Sequence, residues 1–404
     1  MGRKCKEGFV KTYVDYAHNQ ESPPLFHKWV ALSTIACVIG RRVWMSSGGN
    51  EEGYYTIYPN LYLLLVSPSG VGRKSTAIEL GFDLIEKSGI QLNIIKGKIT
   101  PAKLMEKLVQ AEMTNEKGLA EVVVFSSEFR VFTKGIMVES SLIEDLTHLY
   151  DCKRHSWETK HEGTYVIEKP CVNLLAASTP EWLTGGTAGD IMSGGLGSRL
   201  TPVATTTLWK KIAWAKKTRD EMEKEEWLVH DLAEIRKLEG QFYITPEAER
   251  VFEEWYVTAD EYRNHDPRLD AYYNKKHDQV RKVAMLLSLS QNDDLAVNER
   301  HVQAALMLFK ELEKTITYAY SSVSWGESGK FNEKVLLKIK EMGERGITHS
   351  ELMRAFHFCM DKEMLRKVVA TLLHEESITY EIVETKTKPK VVYRYVEREE
   401  EKGV

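Results

Sequence analysis

Between Asn60 and Thr206 the apolar positions come in short β-type runs, Leu61–Val66, Leu92–Ile95, Val122–Phe125 and Val172–Ala177, separated by helical stretches. Continuous apolar runs of this kind predict strands buried on both faces, and their alternation with helices predicts a mostly parallel sheet covered by helices on both sides. Trp157–Ile167 has a two-residue period around Glu162-Gly163 and predicts a β-hairpin. Residues 24–40 open with Pro, carry a broad apolar face and close at Gly40 before Arg41 and Arg42. They predict a helix, and with it a helical N-terminal module over 1–50. Helical periodicity dominates 208–318, with a helix start at Thr245-Pro246 and apolar faces at Arg281–Ser290 and Val297–Phe309, so 208–320 reads as a helical lid domain. After the polar linker Ser321–Lys330 come three helix-like segments, Asn332–Met342, His349–Phe356 and Lys362–Glu375. A hairpin, Ile378–Val396, turns at Lys386–Pro389 and completes the order of a winged helix-turn-helix over 331–398.

Composition narrows the class without choosing a function. The 404 residues are 43% hydrophobic and 28% charged, and their formal net charge of -4 exerts no global pull on nucleic acid or anionic membrane. Cys5, Cys37, Cys152, Cys171 and Cys359 form no C-x-x-C pair, which argues against a zinc ribbon or disulfide framework and fits a reducing cytosol. Met1–Val10 is basic and polar, and no 18-residue apolar run occurs, so neither export nor a membrane span is expected.

The candidate chemistry starts where the first strand ends. Ser67-Pro68-Ser69-Gly70-Val71-Gly72-Arg73 is a Gly-rich turn, and Lys74-Ser75-Thr76 opens a helix. Strand, Gly-rich turn and helix together aim backbone N–H groups and a positive helix end at one spot, as the polyphosphate of ATP requires. In that reading Ser69–Thr76 cradle the phosphates, Lys74 reaches the β and γ phosphates and Ser75 ligates Mg²⁺. The pattern G-x-x-x-x-G-K-[ST] is not strict, because Arg73 stands at the last Gly and Pro68 at the first; an inserted residue at Arg73 would restore the register. The plain alternative is a Gly- and Ser-rich surface turn. Val122–Phe125 ends in Ser126-Ser127-Glu128, the shape of a Walker B element with Ser127 where Asp usually ligates the metal. Glu128 would polarise the attacking water, or is an ordinary strand-end Glu. Leu174–Thr179 ends in two hydroxyls, so Ser178 or Thr179 could orient the same water or simply form a turn. Arg199 follows the Gly-rich segment Gly185–Gly197 and either acts as a finger on a neighbouring subunit's γ-phosphate or caps a local carboxylate. Arg281 either reports the γ-phosphate in cis or snorkels at the surface.

With these pieces in order, the chain resembles a broad family of phage and mobile-element P-loop proteins of unknown function. More distantly it is similar to AAA+ replicative helicases of the minichromosome-maintenance type. The likeness is carried by Asn60–Thr76, Val122–Phe129, Leu149–Gly163, Cys171–Leu183, Gly194–Leu200 and the RKVAMLL segment. It implies an α/β fold: an AAA+-like P-loop core over 51–207, helical lid and C-terminal winged helix. It also implies a homo-oligomer, a hexameric ring with ATP sites between subunits, to which one subunit gives Lys74, Ser75, Glu128 and Thr179 and the next gives Arg199. The hairpin would correspond to a pre-sensor hairpin touching DNA in a central channel, with Lys160 and His161 at its tip. A bacterial host cytosol and other replication proteins as partners follow from the same likeness. Ser127 in place of Asp departs from the pattern, and no primase-like segment is expected.

The winged-helix segment offers Lys362, Arg366 and Lys367 on its third helix and Lys386, Lys388 and Lys390 on its wing as DNA contacts, but 331–396 hold 12 Lys+Arg against 10 Asp+Glu, and a module of that balance either contacts DNA or docks a protein. The leading expectation is therefore an ATP-driven helicase on single-stranded or forked DNA. An initiator or helicase loader using ATP as an assembly switch is the runner-up. A nucleotide-binding regulator without turnover, favoured by Ser127, is the third.

Overall fold

A computed structural model describes residues 2–129, 141–159, 163–183, 192, 194–264, 266–320, 329–357, 360–383 and 390–396. The chain divides into two compact units, Met1–Ser321 and Ser322–Val404.

The first unit is built on five strands, β1 (Tyr62–Val66), β2 (Asn93–Lys96), β3 (Ala120–Ser126), β4 (Pro170–Ser178) and β5 (Leu200–Ala204). They lie in the order β2-β3-β4-β1-β5, every neighbouring pair parallel. Every residue of β1, β3, β4 and β5 is buried, the signature of a sheet covered on both faces. The longer helices of this unit are α1 (Phe9–Tyr16), α2 (Pro24–Ile39), α3 (Lys74–Lys87), α4 (Pro101–Thr114), α5 (Ser141–Tyr150), α6 (Arg219–Ile235), α7 (Pro246–Thr258), α8 (Asp270–Gln291) and α9 (Glu299–Tyr320).

Strand alternation sorts these helices between the faces. On β1 the Tyr62 hydroxyl donates to the Leu146 carbonyl of α5 at 2.9 Å, and the Tyr62 and Tyr150 rings meet at 4.9 Å. Tyr62 pairs with Leu174, so Asn173 points the other way, and its Nδ2 donates to the Ala36 carbonyl of α2 at 3.2 Å. Phe125, level with Leu175, is on that same side and packs edge-on against Phe82 of α3 at 4.6 Å. Helix α2, expected as part of an N-terminal module, therefore lies directly on the sheet. Its Trp29 meets Phe309 of α9, and nearly all its residues are buried, as a helix apolar all round requires.

Strand β5 is absent from the four-run pattern because its sequence, LTPVA, contains Pro202. Proline lacks a ladder donor and is tolerated at a sheet edge, which is where β5 lies, paired among the described residues with β1 alone. Helix α8 is tied to the amino end of the sheet: Gln279 Nε2 donates to the Ser198 and Leu200 carbonyls, and the Lys282 ammonium donates to Asn60 Oδ1 at 2.6 Å. Burial lowers the Lys282 pKa. The hairpin forms as His155–Thr159 against Gly163–Ile167, with Trp157 opposite Tyr165. Lys160 and His161 lie outside the described residues.

The second unit comprises α10 (Gly329–Glu341), β6 (Ile347–Thr348), α11 (His349–Phe356), α12 (Lys362–His374), β7 (Ile378–Val383) and β8 (Lys390–Tyr395), with an antiparallel sheet in the order β6-β8-β7. Its core gathers Val335, Ile339, Leu352, Leu365, Val368, Leu372 and Tyr393. Helix α11 opens with a capping box, Thr348 and Glu351, and α12 is capped by Asp361. Leu365, Val368, Val369 and Leu372 form the buried stripe of α12, leaving Lys362, Arg366 and Lys367 exposed. The turn with Lys386 and Lys388 lies outside the described residues.

One buried histidine gives the first unit a pH dependence. His27 of α2 is 2% exposed, its Nε2 lies 3.0 Å from Ser22 Oγ, and burial, helped by the Lys210 charge, holds its pKa at about 4. An unfolded chain protonates this ring near pH 6.5, so folding stability from His27 is intact above that pH and is lost as pH falls from about 6.5 to about 4. The loss should approach ~3 kcal/mol at the acid end. Urea unfolding at pH 7.5 and pH 4.5 should show a smaller pH effect in His27→Gln than in the wild type, whereas equal effects would contradict this assignment.

Candidate functional site

All five strands end at the same side of the sheet, and β1 ends between β4 and β5. The Ser67 amide donates to the Ser178 carbonyl at 3.3 Å and the Thr205 amide to the Val66 carbonyl at 3.0 Å, so both neighbours clamp the base of the loop that follows β1. Within the loop the Val71 amide donates to the Pro68 carbonyl, and the Gly72 amide donates to Ser67 Oγ at 3.2 Å. Gly70 has φ +76°, where a residue without Cβ is favoured. Arg73 has φ 47° and ψ 39°, a left-handed conformation that costs an L-residue about 1–2 kcal/mol relative to the helical region. Helix α3 starts at the next residue, so Arg73 is the last residue of the loop.

The amino end of α3 carries no side-chain cap, in contrast to α4 and α6, whose first turns are closed by Thr100 and Thr218. The first backbone bond of α3 runs from the Ala77 amide to the Arg73 carbonyl, which leaves the positive end of the helix directed at the strand ends. The Lys74 ammonium folds back over the loop, donating to the Ser67 carbonyl at 2.7 Å, Ser67 Oγ at 3.0 Å and the Pro68 carbonyl at 3.2 Å.

A cleft of about 520 Å³ opens at this edge, lined by Ser69, Gly70, Arg73, Lys74, Ser75, Thr76, Ser127, Glu128, Ala177, Ser178 and Thr179. Glu128 and Ser127 are exposed to it just beyond the end of β3, and Ser126 Oγ fixes that turn by donating to the Glu128 carbonyl at 2.8 Å. Ser178 is 5% exposed and spends its hydroxyl on the Thr179 carbonyl at 3.3 Å, so Thr179 is the freer of the two candidate hydroxyls. The donors suit a polyphosphate: a helix end, loop amides, an ammonium, and the Ser75 and Thr76 hydroxyls. For a divalent metal the cleft offers one carboxylate, Glu128, and the hydroxyls of Ser69, Ser75, Thr76, Ser127, Ser178 and Thr179.

Arg281, predicted for this site in cis, and Arg199, predicted to act on a neighbouring subunit's site or to cap a carboxylate, do not line this cleft. Arg281 is held on α8 by Asp278 at 2.8 Å, the Tyr55 hydroxyl at 3.2 Å and the Ser47 carbonyl at 3.3 Å, and it stands over the Phe252 ring. It belongs to the helix tied to the amino end of the sheet, so it does not contact a ligand of the cleft in cis; the Asp278 pair takes the charge that reading assigned to phosphate. Arg199 precedes β5 and pairs with Asp151 at 2.8 Å, with a second contact to the Gly195 carbonyl at 2.9 Å. That is the geometry of a carboxylate cap, again at the end of the sheet away from its own cleft.

Two residues without a role predicted from sequence, Ser67 of the turn and Glu21, also shape the site. Ser67 is the acceptor that positions Lys74. Glu21 takes the Arg73 guanidinium at 2.6 Å on one oxygen and the Ile212 amide at 2.9 Å on the other; these two donors, the amide foremost, lower its pKa. No local pattern announces Glu21, because its partners are distant in sequence.

The packing around Gly72 makes the loop sensitive to one methyl group. A Cβ there would meet Ser67 Oγ at 2.5 Å and Thr205 Cγ2 at 2.9 Å. Gly72→Ala should displace Ser67 and the Lys74 ammonium with it, and, where the loop is read as a triphosphate cradle, weaken ATP affinity by roughly tenfold or more while leaving the fold intact. Calorimetric titration of the folded variant with ATP and Mg²⁺ checks this, and wild-type affinity would contradict it.

No protein-family model matches the chain, and no curated protein matches it. Among solved structures, a full-length MCM homolog from Methanopyrus kandleri is similar over 76% of this chain and 59% of its own, with 14% sequence identity and a TM-score of 0.42.

Proposed function

We propose that the chain is an ATPase of the P-loop, AAA+-like class that drives movement on DNA as a homo-hexameric ring in phage or mobile-element replication. The observation that carries the ATPase reading is the meeting of Lys74, Ser75, Glu128 and Thr179 in one cleft at the ends of β1, β3 and β4. Open parallel sheets bind ligands at that edge. In this reading the loop amides and the α3 end hold the triphosphate, and Lys74 exchanges its loop acceptors for β and γ oxygens. Mg²⁺, when bound beside Ser75, supplies further charge neutralisation at those oxygens. Glu128 orients and deprotonates the attacking water, and Thr179 holds its position. Since Arg199 faces away from its own cleft, its role as a finger is confined to the site of a neighbouring subunit. The DNA part of the proposal rests on the second unit, read as a winged helix whose α12 presents Lys362, Arg366 and Lys367, and on the hairpin of His155–Thr159 and Gly163–Ile167.

Ser127 favours a second reading. With a hydroxyl where a metal-binding carboxylate is usual, ATP would serve as an assembly switch in an initiator or loader, or would only be bound by a DNA-binding regulator. Steady-state phosphate release separates these. Strong stimulation by single-stranded DNA supports the motor, slow unstimulated release the loader, and no release the regulator.

Two substitutions test the cleft chemistry together. Lys74→Ala should abolish ATP hydrolysis, and Glu128→Gln should keep ATP affinity while lowering turnover by about 10²–10⁴-fold. Near wild-type turnover in Lys74→Ala would remove the loop from the reaction; loss of binding in Glu128→Gln would make Glu128 a metal ligand instead. A third test addresses the ring. Mixtures of Lys74→Ala and Arg199→Ala subunits should regain activity at interfaces that join an intact loop to an intact Arg, because a finger contributes about 10³-fold or more. Mixtures no better than the two variants separately, with subunit exchange demonstrated, would make Arg199 only the partner of Asp151.

A further inference from the structure

Residues 205–218 run from the cleft end of β5 to the start of α6 without regular secondary structure, mostly exposed. Their sequence, TTTLWKKIAWAKKT, contains four Lys and no acidic residue in a chain whose net charge is -4. Trp209 is 55% exposed and Trp214 is 83% exposed. Each indole is followed by a Lys pair, Lys210-Lys211 and Lys216-Lys217. Two open indoles interleaved with cations differ from the scattered apolar residues of an ordinary surface.

The backbone beneath them is anchored. The Ile212 amide, between the two Trp residues, donates to Glu21; the Lys210 ammonium donates to the His18 carbonyl; and the Lys217 ammonium pairs with Glu225 at 2.8 Å and lies over the Tyr16 ring. Lys211 and Lys216 are exposed, one beside each Trp. The result is a strap held at its middle and its end with two aromatic faces open to solvent.

We propose that this strap binds single-stranded nucleic acid, with Trp209 and Trp214 stacking on bases and Lys211 and Lys216 meeting phosphates. Aromatic faces beside a basic track match the chemistry of an unpaired strand, whose bases are free to stack on side chains while those of a duplex are already stacked on each other. An anionic membrane surface matches less well, since it calls for a helix with one continuous apolar face, and here the segment is irregular and Ile212 is turned partly inward. The strap also has a direct mechanical link to the cleft. Glu21 holds Ile212 with Oε1 and Arg73 with Oε2, so one carboxylate joins the strap to the loop. Strand binding and loop conformation are therefore coupled; this coupling rests on the ATPase reading, whereas the binding itself does not.

The test uses the full chain without nucleotide and an oligothymidylate carrying 5-iodouracil, cross-linked by light and mapped by peptide mass. The strap predicts cross-links at Trp209 or Trp214. Fluorescence anisotropy should show affinity for the oligomer falling roughly tenfold or more in Trp209→Ala/Trp214→Ala and largely kept in Trp209→Phe/Trp214→Phe. Lys211→Gln/Lys216→Gln should flatten the salt dependence by about 1.4 in log–log slope. Cross-links confined to other segments with unchanged affinity in the Ala pair would overturn the proposal, as would binding to phosphatidylserine vesicles without binding to the oligomer. Phosphate release distinguishes the two readings: cross-links at the strap without any ATP hydrolysis would sink the ATPase reading alone, and hydrolysis without strap cross-links would sink this one alone. If both stand, the oligomer should stimulate release in the wild type and not in the Ala pair, while release in its absence is the same in both.

Discussion

Because β1 is paired in parallel with both β4 and β5, with Val66 level with Ser178 and with Ala204, the segments after these strands have to leave the sheet together. Everything proposed for the cleft depends on that register. It sets the Ser67 amide on the Ser178 carbonyl and the Thr205 amide on the Val66 carbonyl, which fixes both sides of the loop base. A shift by one residue would turn every strand side chain to the other face and break the Asn173 contact to α2 as well as the Tyr62 contact to α5. The buried helices and the cleft are thus two consequences of one pairing.

On that base the loop is shaped by a few unfavourable choices that its surroundings offset. Arg73 accepts a left-handed backbone, and its guanidinium is then delivered to Glu21. Gly72 gives up a side chain so that Ser67 and Thr205 can close over it. Lys74 converges on carbonyl and hydroxyl oxygens of Ser67 and Pro68, at the point where the helix end also adds positive potential. Strain and charge of this kind concentrate where a structure is organised for binding. Glu21 extends the arrangement outward to residues 205–218, making the region around the loop larger than the loop motif itself.

Much of this was legible in the sequence, and the gaps have physical causes. Leu61–Val66, Val122–Phe125 and Val172–Ala177 announce central strands because burial on both faces demands continuous apolar runs. The strand Leu200–Ala204 is hidden by Pro202, whose cost vanishes only at an edge, and edge position is not a local property. Ser69, Gly70, Arg73, Lys74, Ser75, Thr76 and Glu128 follow from strand ends and line the cleft, whereas Val71 and Gly72 of the same loop are not in its lining. A lone Arg is compatible with a phosphate or with a carboxylate, and the fold sets Asp151 beside Arg199 and Asp278 beside Arg281, partners too distant or too ambiguous in sequence to announce themselves. Helix α2 looked like a module of its own because periodicity reports that a helix is apolar without reporting what it packs against.

The central claim is that the backbone of this loop and of the neighbouring strand ends holds a nucleoside triphosphate. Hydrogen exchange of the full chain, followed by mass spectrometry with and without Mg²⁺ and a slowly hydrolysed ATP analogue, addresses it directly. The account predicts slowed amide exchange over residues 69–76, 127–128 and 178–179 together, with little change at Arg281. Unchanged exchange over 69–76 at analogue concentrations that saturate binding, or protection confined to another part of the first unit, would contradict it.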